Sequence, residues 1–401
     1  MPETQSPTPP PLSGLKVIEL GQLIAGPFCG QLLGDFGAEV IKVEARDAPD
    51  PARGWGAVKK DGESLFWPII ARNKKSLTLN LRTGKGQAIL KELAADADVL
   101  LENFRPGTLE RWGLGPEVLH EINPRLVITR ISGYGQTGPE SKKAGYASVG
   151  EAKGGLRHLI GEPDRLPARA GVSLGDTMTG TFAALGTMMA LFSRERTGKG
   201  QVVDAAIYES VMAFMESLIP EYALGGHIRQ RSGPILPKVA PSGVYPCSDG
   251  VVIIGANQDG PFRRLAKMCG AGWAEDPRYA THDARGENQA ELDELISEWT
   301  RQRTMAEVLQ SCEENSVPCG PVNTAKEMLA DAHIKAREAI IRIAHPVLGN
   351  FPMQGVVPKL SDTPGGVRET GPTLGEDTAD ILSGLGYDAP AQDALRQEGI
   401  I

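Results

Sequence analysis

Asp176 stands in Gly171-Val-Ser-Leu-Gly175-Asp176-Thr177, between a loop and an apolar stretch, and is the carboxylate best placed for chemistry. Two roles fit it. As an N-cap, its oxygens accept amide protons and face the positive end of the following helix. As a nucleophile, it is held firmly, and Gly175 beside it has no side chain to keep a bulky electrophile away. Cations recur beside the strand ends: Lys42, Arg72-Asn73-Lys74-Lys75, Arg105, Arg111 and Lys142-Lys143. Arg offers a rigid fork and Lys a mobile point charge, so a convergent set would suit phosphate groups, although each taken singly is equally ordinary surface charge. In 103–113, Phe104, Pro106 and Trp112 stand among Arg105 and Arg111, an apolar wall able to hold an adenine ring.

Other motifs point less far. Gly133-Tyr-Gly135-Gln-Thr-Gly138 has the spacing of a dinucleotide fingerprint, but Pro139-Glu-Ser-Lys-Lys143 continues it as a loop, where a pyrophosphate needs a helix N-terminus. The six histidines form neither HxxxH nor HExxH, so no metal site is expected. Five cysteines without a CxxC pair suggest neither a disulfide framework nor a thiolate zinc site. Ser148 lacks the leading glycine of a GxSxG elbow. Gly255-Ala256-Asn257-Gln258-Asp259-Gly260 reads equally as a mobile lid and as a plain strand-to-helix turn.

The elements that must position these residues alternate in type. Strands are expected at 15–20, 38–44, 76–80, 98–102 and 126–131, with helices after Gly21 and over 84–95. This pattern predicts an α/β class with a mostly parallel sheet. Asp176 to Phe192 is too rich in small and apolar residues for a solvent-facing helix and is expected to be buried. A strand over 201–207 and a helix over 209–218 follow, then a Gly/Pro/Arg-rich connection over 225–241. Short strands near Val244 and Val251 with helices at 261–269, 289–302 and 304–314 predict a smaller α+β domain, and a helical stretch is expected near 376–385. The expected division is 11–224 as the first part of the large domain, 225–325 as the small one, and 326–401 returning to the large one.

A chain of 401 residues is long for a single core, which agrees with two domains. Its formal net charge of -8 offers no general attraction to nucleic acid. No basic-apolar leader and no uninterrupted run of 18 apolar residues is present, so a soluble, cytoplasmic protein without a membrane partner is expected. The first ten residues read as a Pro-rich disordered lead.

Together these segments resemble the family III CoA-transferases, the formyl-CoA and carnitine CoA-transferase group. The resemblance is carried in order by LKVIELGQLIAGPFCGQLLGDFGAEVIKVE at 15–44, RNKKSLTLNL at 72–81, LLENFRPGTLERWGLG at 100–115, ITRISGYGQTGPESKKAGYASVG at 128–150, GVSLGDTMTGTFAALG at 171–186, GKGQVVDAAIYES at 198–210 and SVPCGPVNT at 316–324. It implies an interlocked homodimer of ring-shaped subunits, each with a Rossmann-like large domain and a smaller domain. It implies Asp176 as the catalytic aspartate. It implies CoA contacts from Gln22, Ala25, Arg72, Lys75, Asn103, Phe104, Arg111, Lys143 and Tyr146. Coenzyme A thioesters are then substrates, with no permanently bound cofactor. The dicarboxylate branch, with succinyl-CoA as donor, is the closest pattern.

Two departures stand out. Many relatives carry an acidic residue where this chain has Ala147, and the glycine-rich lid of the formyl-CoA enzyme is replaced by the bulkier 255–260 segment. The alternative is an acyl-CoA racemase of the same fold, in which a GHD segment supplies a His-Asp pair where this chain has Gly145-Tyr146-Ala147; a tyrosine with an ordinary pKa near 10 is a poor base at neutral pH. A non-enzymatic CoA- or nucleotide-binding module is the alternative of another class.

Overall fold

The computed structural model describes residues 8–401. In its first half the apolar runs become strands and the segments between them helices. In chain order they are β1 (Lys16–Glu19), α1 (Ala25–Asp35), β2 (Glu39–Glu44), β3 (Lys74–Thr78), α2 (Gly84–Ala95), β4 (Val99–Glu102), β5 (Val127–Ser132), α3 (Ala147–Lys153), α4 (Leu174–Thr197), β6 (Val202–Ala206), α5 (Ile207–Met212) and α6 (Leu218–Gly225). Among the described residues, six strands form one sheet in the order β3-β2-β1-β4-β5-β6, every neighbouring pair parallel. Ile18, Ile41, Leu77, Leu100 and Ile128 point to one face, which α2 covers; Val17, Val40, Val99 and Val127 point to the other, under α1 and α4. Burial on both faces is why these strands lack polar alternation. The strand order reverses between β1 and β4, and the crevice beyond their carboxyl ends is where an open α/β sheet takes ligands.

This first unit comprises the described residues up to Arg157, Ala170–Gly226 and Ile334–Ile401. The second comprises His158–Arg169 and His227–His333. Its elements are β7 (Ser242–Pro246), β8 (Val251–Gly255), α7 (Asp259–Met268), α8 (Gln289–Arg301), α9 (Met305–Glu314) and β9 (Cys319–Pro321), with an antiparallel sheet β9-β8-β7. Tyr245, Ile254, Phe262, Leu292, Ile296 and Val308 form its core. The segment 158–169 was expected in the large domain. It joins this unit through bonds such as Gly233 N to the Gly161 carbonyl and Arg231 Nη1 to the His158 carbonyl, both 3.1 Å.

The C-terminal part returns to the first unit with a hairpin, β10 (Ile340–His345) and β11 (Gly349–Gln354), and two helices, α10 (Thr378–Gly384) and α11 (Ala389–Gln397). The sequence patterns indicate α10 but neither the hairpin nor α11. This tail seals the open edge of the sheet: Ser76 N donates to Asp377 Oδ2 at 2.7 Å, Thr78 N to Thr378 Oγ1 at 3.0 Å, and Asn80 N to the Ile400 carbonyl at 2.7 Å. Edge groups left unpaired would invite another strand.

Several expectations shift. Residues 1–7 of the Pro-rich lead lie outside the described residues, whereas the Pro10 carbonyl accepts from Ser13 N. The long helix α4 starts before Asp176 and buries only one face, through Thr179, Ala183, Thr187 and Ala190; Met189 and Phe192 are 61% and 66% exposed. Among the described residues, no helix is long and apolar enough to cross a membrane.

Beneath the loop joining β1 to α1 lies a set of fully buried charges. Lys42 Nζ stands 3.2 Å from Glu19 Oε1 and 2.9 Å from Asp50 Oδ2 and donates to the Gly21 carbonyl at 2.7 Å; Lys74 Nζ stands 2.8 Å from Glu19 Oε2. Burial alone would raise the Asp50 pKa, but Lys42 and the amides of Ala52 and Leu23 outweigh it and hold the carboxyl below its ordinary value. Burial would lower the Lys42 pKa, yet Glu19, Asp50 and Glu44 turn the shift upward. Lys74 has fewer anions, and burial together with the Lys42 charge leaves its pKa depressed.

The Lys42→Met variant removes the cation paired with buried Asp50 and one of the two on Glu19, which keeps Lys74, and should lose about 3–5 kcal/mol of stability in urea unfolding. The Asp50 contribution is present above the ordinary carboxyl pKa of 3.8 and is lost as pH falls through its depressed folded value. Wild-type stability should therefore drop in that acid range, and Asp50→Asn should drop less steeply there.

Candidate active site

Three loops leave the carboxyl ends of β1, β4 and β5, and hydrogen bonds draw them together. Asn103, just after β4, uses its amide as a peptide would: Gln22 N donates to its Oδ1 and its Nδ2 donates to the Gln22 carbonyl, both at 2.8 Å. Leu23 N donates to both oxygens of Asp50, which holds Leu23 at φ 65°. Arg105 Nε donates to the Lys142 carbonyl at 3.0 Å, joining the segment after β4 to the glycine loop after β5. The Phe104 and Trp112 rings meet edge to face, centroids 5.3 Å apart. Arg111 is exposed and donates to Thr108 Oγ1; Lys143 is exposed and pairs with Glu140 at 2.7 Å. Residues 133–145 remain a loop, so no helix N-terminus stands where a dinucleotide pyrophosphate would need one.

Tyr146, 69% exposed, ends that loop and precedes α3. One turn into α3 comes Glu151, which is buried. Its Oε1 accepts the Gly175 amide at 3.1 Å and its Oε2 accepts Arg157 Nε at 2.7 Å. A carboxylate from another helix therefore satisfies one of the orphan amides of α4, while Ser173, at the N-cap position, makes no side-chain capping bond. This corrects the N-cap reading of Asp176, which is the third residue of α4 and half-buried. It lies in the first turn of the helix. The adjoining Gly175 amide is already occupied by Glu151, so it is not a spare donor for an oxyanion.

α4 is tied down along its length. Thr187 Oγ1 lies 2.6 Å from Thr129 Oγ1 on β5. A side chain at Gly180, one turn after Asp176 on the same face, would come within 2.8 Å of the Ala25 carbonyl and 3.0 Å of the Phe28 ring. The first turn of α1 thus sets the height of α4 over the sheet.

Two of the expected contacts lie apart from this cluster. Arg72 is 3% exposed, its guanidinium on Asp35 (Nε to Oδ1, 2.9 Å) and on the Gln354 carbonyl (Nη1, 2.6 Å), where it anchors the end of the C-terminal hairpin. Lys75 pairs with Glu39 at 2.5 Å in a groove it shares with Lys16, Asp96 and Asp377, near the amino end of β1. In the second unit, residues 255–260 form the turn from β8 into α7. Ala256 is buried, and the fully buried Arg285 donates to the Asn257 carbonyl at 2.8 Å and to Asp259 Oδ1 at 2.7 Å. Among the described residues, no group of three or more His, Cys, Asp or Glu could hold a metal ion. The sequence motifs do not mark Glu151 or Arg157; the one local signal is that Glu151 follows Ala147 by one helical turn.

The CoA-transferase family III profile matches residues 12–378. The chain is 56% identical over 379 residues, 94% of each protein, to a succinyl-CoA–D-citramalate CoA-transferase of Chloroflexus aurantiacus. It is 37% identical over 385 residues, 94% of this chain and 96% of the other, to a succinate–glutarate CoA-transferase of Agrobacterium fabrum. The crystal structure of a CAIB/BAIF family protein from Brucella suis matches 94% of this chain and 100% of that one with a TM-score of 0.83 at 36% identity.

Gly180→Val forces a branched side chain against the α1 backbone and should cost about 1–3 kcal/mol. Thermal unfolding should show a lowered midpoint, and an unchanged one would contradict this account of how α4 is seated.

Proposed function

Because the chain belongs to CoA-transferase family III, we propose that it moves coenzyme A reversibly between succinyl-CoA and a short dicarboxylate of the citramalate or glutarate kind, with Asp176 as the covalent nucleophile. The observation that carries the reading is the seat of Asp176. It lies in the first turn of a helix locked to β5, with the neighbouring amide clamped by Glu151 of α3.

The Asp176 carboxylate attacks the thioester carbonyl, and the C–S bond breaks to give a mixed anhydride and CoA thiolate. The thiolate attacks the aspartyl carbonyl, releasing the donor acid and leaving an aspartyl-CoA thioester. The acceptor carboxylate attacks that thioester, forming a second anhydride and freeing the thiolate again. Thiolate attack on the new acyl carbonyl yields the product acyl-CoA and restores Asp176. Each step exchanges one activated acyl bond for another, so the sequence runs in both directions provided water is kept out.

For the CoA contacts we take Gln22, Ala25, Asn103, Phe104, Arg111, Lys143 and Tyr146. The edge of the Phe104–Trp112 pair suits an adenine, and Arg111 and Lys143 suit the phosphates. We further take the enzyme to be an interlocked homodimer. In support, Met189 and Phe192 on α4 and Leu224 on α6, the last 89% exposed, present apolar surface that a second copy would cover. A reducing, cytoplasmic setting accords with five free cysteines.

Brief mixing with succinyl-CoA should leave a CoA-sized adduct on the Asp176 peptide of the wild type and none on Asp176→Ala, as read by mass spectrometry. No adduct on either, with solvent deuterium entering the α-carbon of acyl-CoA esters, would replace this reading with racemase chemistry. In light scattering the wild type should weigh about twice one chain, and Met189→Glu with Phe192→Glu should shift it toward the monomer.

A further inference from the structure

Glu151 joins two groups of different use. Its Oε1 reaches the main chain beside Asp176, and its Oε2 holds Arg157 by the Nε edge. The Arg157 side chain is 20% exposed, and among the described residues its two Nη nitrogens carry no hydrogen bond. A guanidinium presents five N–H groups in a rigid fork, so the Nη end remains open to a second carboxylate. This chain already shows that arrangement elsewhere. Arg130 gives its Nε to Glu102 at 2.7 Å and its Nη1 and Nη2 to Glu110 at 2.7 and 3.3 Å.

The position of Arg157 is constrained as well. Gly154 and Gly155 turn the chain out of α3, and a side chain at Gly154 would lie 2.7 Å from the Tyr208 carbonyl and 2.8 Å from Val211, so this turn is wedged against α5. Several cations around the glycine loop already have partners: Arg105 the Lys142 carbonyl, Lys143 and Lys153 the carboxylate of Glu140. Two hydrogen bonds and one carboxylate separate the Arg157 guanidinium from the Gly175 amide, a path of about 8 Å. A short diacid spans about 5 Å from its reacting carbon to its far oxygens and stands about 3 Å from the nucleophile that attacks it.

We propose that Arg157 is the specificity residue that receives the distal carboxylate of the dicarboxylate group transferred at Asp176. The inference rests on Asp176 being the nucleophile. Glu151 fixes the fork and offsets its charge while the site is empty, and the diacid takes the Nη end as Glu110 does on Arg130. A monocarboxylate of equal length leaves that end unanswered and is rejected for that reason.

The test compares 13C-labelled succinate with butyrate as acceptors, using unlabelled succinyl-CoA as donor and following labelled succinyl-CoA and butyryl-CoA by mass spectrometry, so that the donor half-reaction is common to both. In the wild type the ratio of kcat/KM should strongly favour succinate. Arg157→Met should lower that ratio by about 100-fold through the succinate limb, with the butyrate value within about 3-fold of wild type. Arg157→Lys keeps the charge without the fork and should fall about 10-fold. Equal losses for both acceptors in Arg157→Met and Arg157→Lys would show a purely structural role and overturn the proposal, as would an unchanged ratio. If Arg157→Met does not fold, the ratio in Arg157→Lys decides. The wild-type CoA adduct on Asp176 separates the two levels: its absence defeats the nucleophile reading, while its presence with an unaltered ratio defeats only the role of Arg157.

Discussion

Burying a lysine ammonium under a loop is costly unless its surroundings answer it on every side, and around Lys42 they do. Glu19 and Asp50 supply charge and the Gly21 carbonyl supplies an acceptor. Because these partners belong to β1, to the segment after β2 and to the loop itself, the ammonium fixes their relative positions. Asp50 also takes the Leu23 amide, which steadies a bulky residue at positive φ, a conformation that costs about 1–3 kcal/mol. The loop is thereby frozen where α1 must begin, and α4 rests on the first turn of α1 at Gly180. Asp176 lies several contacts from Lys42, yet its height above the sheet follows from that ammonium.

The end of α4 divides labour between two carboxylates. Glu151 caps the helix and spends both oxygens on fixed partners, whereas Asp176 stands two residues inside the helix start. Two carboxylates near one helix end would repel each other in isolation. The Arg157 guanidinium on the far side of Glu151 balances one of them. The same balance lets an anionic diacid approach a site that already holds two acids.

Much of the fold was legible because buried parallel strands announce themselves as short apolar runs; β1, β2, β4 and β5 fall within a residue or two of their expected spans. Asp176 stood out through its glycine neighbour and the apolar helix behind it. What stayed hidden depends on separation along the chain. Nothing local to Glu151 says that its oxygen meets Gly175, 24 residues on. Arg72 and Lys75 looked alike as cations near a strand, but only the fold shows one buried on Asp35 and the other turned toward Glu39. The hairpin β10–β11 has proline and mixed burial, so its alternation is too weak to read, and the start of α4 was misplaced because its cap comes from another helix.

The edge of the main sheet carries one more consequence, in time rather than in space. β3 is complete by Thr78, yet the side chains that satisfy its amides, Asp377 and Thr378, lie 301 and 300 residues further along. At a synthesis rate of about 5–20 residues per second, that edge waits roughly 15–60 s on the ribosome before its own chain can close it. Through that interval the nascent sheet exposes unpaired backbone beside a hydrophobic core. A chaperone that shields this one strand would therefore protect the chain for most of its synthesis.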